Sequence, residues 1–310
     1  RSGKIYAGIA DDMLTTTIMA TKAPKYLCPA MNTEMYNNPI TQRNLEGLRS
    51  LGYHIMDPAE GWLACGITGV GRLPEPEAIV DWLESKMCST NELEGTTILV
   101  TAGGTQESID PVRYIGNRSS GKMGYAIAEQ AVRMGAKVIL VSAPTSLPIP
   151  SGVDFISVDS AVSMQEAVEA RYNDVNVVIM AAAVSDFRVL HKAEQKIKKM
   201  ESMTIELVKN PDILQGLGSK KNHQILVGFA AETEHVIKYG QDKVARKNLD
   251  MLVANDVSKS NAGFNVDTNE GYFLYPDKEP KEMPNMKKSE LARHILREVI
   301  DLVANKADIN

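Results

Sequence analysis

The chain has 310 residues, enough for two domains with cores of their own. A hydrophobic share of 44% and a charged share of 24% are those of an ordinary folded protein and exclude a chain dominated by disorder. A formal net charge of −5 excludes the broad basic face that displaces counterions from nucleic acid, so no nucleic-acid partner is expected and any anion site must be local.

In chain order, Ile9 to Ala20 reads as a helix, Lys25 to Ala30 as a strand, Ile40 to Ser50 as a helix, and Glu75 to Glu84 as a helix introduced by Leu73-Pro74. This is a partial α/β unit. The chain starts at Arg1 without an initiator methionine, so the expectation is a fragment whose natural N-terminus lies upstream. Small polar residues between Glu84 and Gly95 suit a boundary, which divides the chain into 1–88, a linker over 89–95 and a domain over 96–310.

Downstream the alternation is regular. Strands are expected at 97–101, 137–142, 153–158, 175–181, 224–230 and 251–254, with another in GYFLY from Gly271. Helices are expected near 121–134, 160–172 and 234–248, and from Lys288 to the end. Short apolar strands alternating with amphipathic helices require a mostly parallel sheet with right-handed crossovers, a Rossmann-like doubly wound α/β fold. In such sheets ligands sit beyond the carboxyl ends of the strands. Gly103-Gly104-Thr105, Ala181 to Asp186 and Ala230 to Thr233 should therefore converge on one crevice.

Cys28, Cys65 and Cys88 are widely spaced and odd in number, which indicates neither a disulfide framework nor a zinc site. No apolar run approaches the roughly 20 residues that cross a bilayer, and no signal-peptide pattern opens the chain. No membrane partner and a reducing cytoplasmic setting are the economical expectations.

Two loops carry the densest chemistry. Gly103-Gly104-Thr105 ends a strand, and Asn117-Arg118-Ser119-Ser120-Gly121-Lys122 opens a helix, an arrangement suited to phosphate. Gly116 to Lys122 has GxxxxGK spacing, but Met123 stands where a P-loop needs a magnesium-binding hydroxyl. The dinucleotide alternative lacks a full GxGxxG, and Ser142 stands where a ribose-binding acid would end the next strand. A turn and a helix cap made by Ser119 or Ser120 would also explain these loops.

Other segments carry both a chemical and a structural reading. Lys196-Ile197-Lys198-Lys199 follows Asp186 by a short polar stretch, so it is either a solvated charge run or a loop that carries a cation over a nucleotide. Lys243, Arg246 and Lys247 share one helix face, a small repulsion that a bound polyphosphate would relieve and that solvent or Asp242 could also absorb. Lys209-Asn210-Pro211-Asp212 looks like a helix start with Asn210 as cap and Pro211 in first position.

Taken together, GGTQE, DPVRYIGNRSSGKMG, AAAVSDFR, KIKK, KNPD, GFAAET and KxxRKNLD resemble, in order, the ligase motifs of the bifunctional phosphopantothenoylcysteine decarboxylase/phosphopantothenate–cysteine ligase family. The N-terminal run resembles the later part of the flavin-dependent decarboxylase, a partial flavodoxin-like unit, with Pro29 to Met35 similar to its PxMNxxM signature.

The resemblance implies ligation of 4'-phosphopantothenate to L-cysteine through an acyl-cytidylate made from CTP, with magnesium offsetting triphosphate charge. It places Asp186, Lys196, Lys209, Asn210, Pro211, Asp212, Phe229, Lys243 and Lys247 at CTP, with Gly103, Gly104, Thr105, Ser119, Ser120, Ala181, Ala182 and Ala183 as further substrate contacts. Lys196 would support cytidylate formation, and Asn117, with Arg113 nearby, would bind the acyl phosphate or carbonyl of the intermediate. In the decarboxylase part, Ala30 would lie at FMN, Asn32 would hold the substrate carboxylate and Cys65 would return a proton. The family's catalytic histidine has no counterpart here, since His54 lies in a different motif, and an inactive decarboxylase remnant is expected. The resemblance also implies a homodimer through the ligase part and a larger assembly in the full-length protein. An NAD(P)-dependent oxidoreductase and a noncatalytic flavin-binding or oligomer-forming subunit are the alternative functions.

Overall fold

A computed structural model describes residues 1–310 except 63–67, 88–89, 199–200, 233–234, 257–267 and 308–310. The chain forms two compact units, Arg1–Ser89 and Thr90–Asn310.

In the first unit, helices span Ser2–Tyr6, Met13–Ala20, Thr33–Asn37, Pro39–Ser50 and Pro76–Met87. Asp12 caps the second of these, accepting from the Thr15 N–H at 2.8 Å, so that helix begins later than the apolar pattern from Ile9 suggests. Tyr26–Leu27 pairs in parallel with His54–Ile55, a shorter strand than expected, and Tyr26 stacks on His54 at 4.7 Å. Ala59–Trp62 and Thr68–Arg72 form an antiparallel pair that the sequence pattern did not reveal.

The second unit is built on an eight-stranded sheet. Its strands are β1 (Thr97–Ala102), β2 (Lys137–Ser142), β3 (Val153–Ser157), β4 (Val177–Met180), β5 (Ile225–Glu232), β6 (Met251–Asp256), β7 (Thr268–Leu274) and β8 (Lys281–Lys287). They lie in the order 8-7-6-5-4-1-2-3, parallel from β3 through β6 and antiparallel at β7 and β8. The main helices are α1 (Lys122–Arg133), α2 (Ala161–Glu169), α3 (Ile213–Ser219), α4 (Val236–Arg246) and α5 (Lys288–Ala307).

Successive strand residues alternate between two cores, as a pleated sheet covered on both faces requires. Ile98, Val100, Val138, Leu140, Val177 and Ile179 pack with Ile127 and Ala131 of α1 and Leu291, Ile295 and Val299 of α5. Leu99, Ile139, Val141, Val178, Leu226 and Leu252 pack with Met164 of α2, Leu217 of α3 and Val244 of α4. The mixed α/β fold with a parallel-dominated sheet thus agrees with the sequence reading.

Of the segment expected to be a linker, residues 90–95 belong to this second unit. Leu93 is 1% exposed in its core, and the Thr90 and Leu93 N–H groups donate to the Arg133 and Met134 carbonyls at 3.2 and 2.9 Å. Two small antiparallel ribbons, Gln106–Ser108 with Tyr114–Gly116 and Phe187–Val189 with Leu207–Lys209, project from strand-to-helix connections and touch each other.

Candidate functional site

The strand order reverses direction between β1 and β4, which is where an open parallel sheet leaves a crevice. The wall of that crevice is fixed by the residues that follow β1. Ala183 N–H donates to Gly103 O at 2.8 Å, Thr105 N–H donates to Ala183 O at 3.1 Å, and Thr105 Oγ1 accepts from Ser185 N–H at 2.9 Å. Thr101 Oγ1 accepts from Ala182 N–H at 3.1 Å. Gly103, Gly104 and Thr105 are buried behind the wall, so they support the 181–186 loop and do not line the cleft, contrary to their expected place at the ligand.

A cleft of about 570 Å³ opens there. Its lining includes Asn117, Ser119, Ser120, Ala181, Ala182, Ala183, Asp186, Phe229 and Lys243, all expected from the sequence. The 117–123 loop is shaped by Gly121, the residue before α1, whose φ of +77° places it in the left-handed region. A Cβ there would also lie 2.6 Å from Thr145 Cγ2. Glycine is therefore required by the turn that aims the α1 N-terminus into the cleft. Asn117 Nδ2 donates to Ala183 O at 3.1 Å, tying its carboxamide to the opposite wall.

Lys122, from the loop read as suited to phosphate, also lines the cleft, and three further lining residues lay outside the sequence expectations: Asn255, Asn269 and Lys288. Asn269 is 4% exposed and donates to Met123 Sδ at 3.9 Å, while Lys288 is 8% exposed. Asn255 Oδ1 is buried and has no hydrogen-bond partner among the described residues. Its one readable signal was an asparagine near the carboxyl end of an otherwise apolar strand. The cleft thus joins lysines, a helix N-terminus, an aromatic wall and a buried acceptor, a donor set suited to a phosphorylated, partly aromatic ligand.

Several expected residues do not line this cleft. Arg113 is ion-paired to buried Asp110 and donates to Ile197 O at 3.0 Å. Lys196 is exposed on the loop that contains Ile197, and Lys199 and Thr233 fall outside the described residues. Asn210 is 5% exposed and structural, with Nδ2 donating to Ser185 O at 2.8 Å. Because Asn210 is used in this way, α3 begins two residues later than expected. Asp212 is its cap, accepting from Gln215 N–H at 3.0 Å, and Pro211 precedes the helix.

Asp212 also pairs with Lys247 Nζ at 2.8 Å. Burial opposes ionisation of Asp212, but Lys247 and the Gln215 N–H outweigh it and hold its carboxyl below the usual range. Lys209 is exposed, and its carbonyl accepts from Arg188 at 3.1 Å.

In the first unit, Ala30 is exposed and Asn32 half-buried on the loop before the Thr33–Asn37 helix. Asn32 Oδ1 caps that helix, accepting from Glu34 N–H at 2.8 Å. The loop leans on Gly71, where a Cβ would come 2.1 Å from Met31 O, and Met31 N–H donates to Gly71 O at 2.9 Å. Cys65 lies outside the described residues.

Comparison with known proteins agrees with this division. The family model "Flavoprotein" matches residues 2–88, and "DNA/pantothenate metabolism flavoprotein C-terminal domain" matches residues 93–303. The coenzyme A biosynthesis bifunctional protein CoaBC of Bacillus subtilis (strain 168) is 49% identical over 304 residues, 97% of this chain and 75% of that protein. Its counterpart in Escherichia coli (strain K12) is 45% identical over 302 residues, 96% of this chain and 74% of that protein.

A crystal structure of the C-terminal domain of a CoaBC superposes with a TM-score of 0.61 at 44% identity, covering 70% of this chain and all of that one. The DNA/pantothenate metabolism flavoprotein from Streptococcus pneumoniae shares the fold, with a TM-score of 0.57 at 23% identity over 66% of this chain and 98% of that one. The flavoprotein match corrects one expectation, since a decarboxylase part is present and the comparisons give no support to its catalytic segment being absent. No helix among the described residues is long and apolar enough to cross a membrane. With both family models matched in order and two relatives aligned over nearly all of its length, the chain belongs to the CoaBC family of bifunctional coenzyme A biosynthesis proteins.

Proposed function

We propose that the second unit ligates phosphopantothenate to L-cysteine through an acyl-cytidylate made from CTP, and that the first unit, read as flavodoxin-like, contributes FMN-dependent decarboxylation of the product. The observation that carries the ligase reading is the convergence of Asn117, Asp186, Phe229, Lys243 and the α1 N-terminus on one cleft at the sheet's switch point.

In the first half-reaction a carboxylate oxygen of phosphopantothenate attacks the α-phosphorus of CTP, and the α–β phosphoanhydride bond breaks to release pyrophosphate. Lys122, Lys243 and Lys288, with the N–H groups that open α1, surround the phosphates and offset charge that builds on them. Phe229 offers a flat apolar wall to the base. The buried Asn255 Oδ1 fits a donor such as a ribose hydroxyl or an exocyclic amine. Lys196 approaches from its exposed loop as a mobile cation for the transferring phosphoryl group.

In the second half-reaction the cysteine amine attacks the acyl carbon, CMP leaves with the bonding pair, and the amine loses a proton as the amide forms. Asn117, with its carboxamide braced on Ala183 O, stands at the acyl group and orients it for that attack. Among the described residues no group of three or more acidic, histidine or cysteine side chains could hold a metal, which suits a magnesium ion carried mainly by the triphosphate.

FMN, when bound, supplies two-electron redox chemistry to the first unit. The exposed Ala30 backbone would lie against it, and the amide-nitrogen side of Asn32 would meet a substrate carboxylate, since Oδ1 serves the helix cap. Cys65 would return the proton. The exposed Tyr114, Phe187 and Leu207 on the two ribbons, with Val112 in the connection of the first, would provide apolar surface for a homodimer.

The test is pyrophosphate release by purified chain with magnesium. Release that needs nucleotide and phosphopantothenate together, followed by cysteine-dependent amide formation, is expected, with CTP turned over faster than ATP. Absence of both products would overturn the ligase reading, and an ATP preference would overturn the nucleotide assignment.

A further inference from the structure

The segment that carries Lys196 is fastened by one buried carboxylate. Asp110, 2% exposed, accepts from the backbone N–H groups of Val112 and Arg113 at 2.8 Å each and from Arg113 Nε at 2.9 Å. It also accepts from Ile197 N–H at 3.1 Å, while Arg113 Nη2, ion-paired to the same carboxylate, donates to Ile197 O at 3.0 Å. One ion pair therefore holds both the N–H and the C=O of the residue after Lys196. A second tie lies three residues before Lys196, where Ala193 N–H donates to Ile109 O at 2.9 Å. The Arg113 guanidinium and the backbone donors hold the Asp110 carboxyl well below the usual carboxylate range, so the acceptor stays charged at any physiological pH.

We propose that Asp110 is a positioning residue for ligation: with Arg113 it clamps residue 197 and thereby fixes where Lys196 stands over the nucleotide. The proposal rests on the ligase reading of Lys196 given above. A lysine side chain is long and loses much rotamer freedom when it meets a phosphate, so anchoring its backbone removes one of the largest sources of misplacement. In Asp110→Asn one of the two oxygens becomes an NH2 donor: Oδ1 serves the Val112 and Arg113 N–H groups and Oδ2 serves Ile197 N–H and the guanidinium, so the single remaining oxygen cannot keep both sets, and the charge that holds Arg113 is lost.

The experiment uses the full chain with Asp110→Asn and two readouts. Trypsin cleavage after Lys196 and Lys198 is expected to speed up about tenfold relative to cleavage elsewhere in the variant, because local opening exposes the segment. Acyl-nucleotide formation is expected to fall about tenfold in kcat, with KM for phosphopantothenate moving less than about threefold. Amide formation from intermediate supplied by the Asn117→Ala chain should change less than about threefold, whereas a general structural defect would depress both halves alike.

Unchanged proteolysis, or equal loss in both half-reactions, overturns the proposal. If the parent chain itself does not ligate, the reading of the cleft falls, and the trypsin comparison alone still decides whether the clamp exists. If Asp110→Asn melts too early to assay, Arg113→Lys removes the fork that holds the Ile197 carbonyl while keeping the charge, and is judged by the same outcomes.

Discussion

Asn255 shows how a site residue escapes sequence reasoning. It lies near the end of a strand that reads Met-Leu-Val-Ala, where a polar side chain looks like an ordinary strand terminus, yet the residue lines the cleft and its Oδ1 is buried with no partner among the described residues. A buried acceptor left unpaired costs about 1–3 kcal/mol, so it persists where a ligand or another function compensates. Asn255→Leu is therefore expected to weaken CTP binding about tenfold, ~1.4 kcal/mol, while the nucleotide-free melting temperature stays level or rises. Calorimetric titration and a thermal melt check both parts, and unchanged affinity would remove Asn255 from the site.

Asn117 and Lys243, read at the substrate because their neighbours form ordered motifs, both line the cleft. Lys247 and Asp212 were read at the nucleotide for the same reason, but the structure pairs them with each other at 2.8 Å. A motif names residues that belong together without saying which of them face the ligand and which hold the frame.

At the scale of elements, the apolar strands and amphipathic helices of the doubly wound core were readable from their periods, because each face of each strand is buried against a helix layer. The three-residue strands of the two ribbons are too short to show a period. Strand β8 was hidden by Pro284, a residue a central strand would reject. It is tolerated because β8 is the edge strand, and the β7–β8 register shifts between Asn269 and Gly271, whose partners Met286 and Met283 flank that proline.

The start of α1 depends on its glycine. Gly121→Ala introduces both a left-handed non-glycine residue and a close contact with Thr145, so a loss of ~1–2 kcal/mol is expected, a drop of about 2–8 °C in melting temperature for a unit of this size. A melt within one degree of the parent would contradict the strained turn.

The start of α3 depends on Asp212, whose carboxyl titrates below its unfolded value. A depressed carboxylate adds stability that is present above the unfolded pKa, near 4, and is lost as pH falls through the folded pKa. Asp212→Ala should therefore melt below the parent at pH 7, by an amount reflecting a cap worth about 1 kcal/mol, and the gap should narrow as pH drops below about 4. A gap independent of pH would mean that neither the Lys247 pair nor the ionised cap contributes.

At the scale of the whole molecule, the contact pattern separates Arg1–Ser89 from Thr90–Asn310, and each part matches its own family model. The second unit contains two complete core layers, and a homologous C-terminal domain has been crystallised by itself. Residues 90–310 alone are expected to fold and to ligate with kcat within about threefold of the full chain, since among the described residues those that line the cleft all follow Thr90. A soluble, folded but inactive 90–310 fragment would show that ligation needs the first unit.

The most direct test of the account separates the two half-reactions. Parent, Lys196→Ala and Asn117→Ala chains are incubated with magnesium, CTP and phosphopantothenate, quenched before and after cysteine is added, and analysed by mass spectrometry for acyl-cytidylate and amide. Lys196→Ala is predicted to give neither species, and Asn117→Ala to accumulate acyl-cytidylate that cysteine converts only slowly. If the asparagine variant lost both steps equally, or if the parent formed amide with no nucleotide-linked intermediate, the proposed division of labour in this cleft would be wrong.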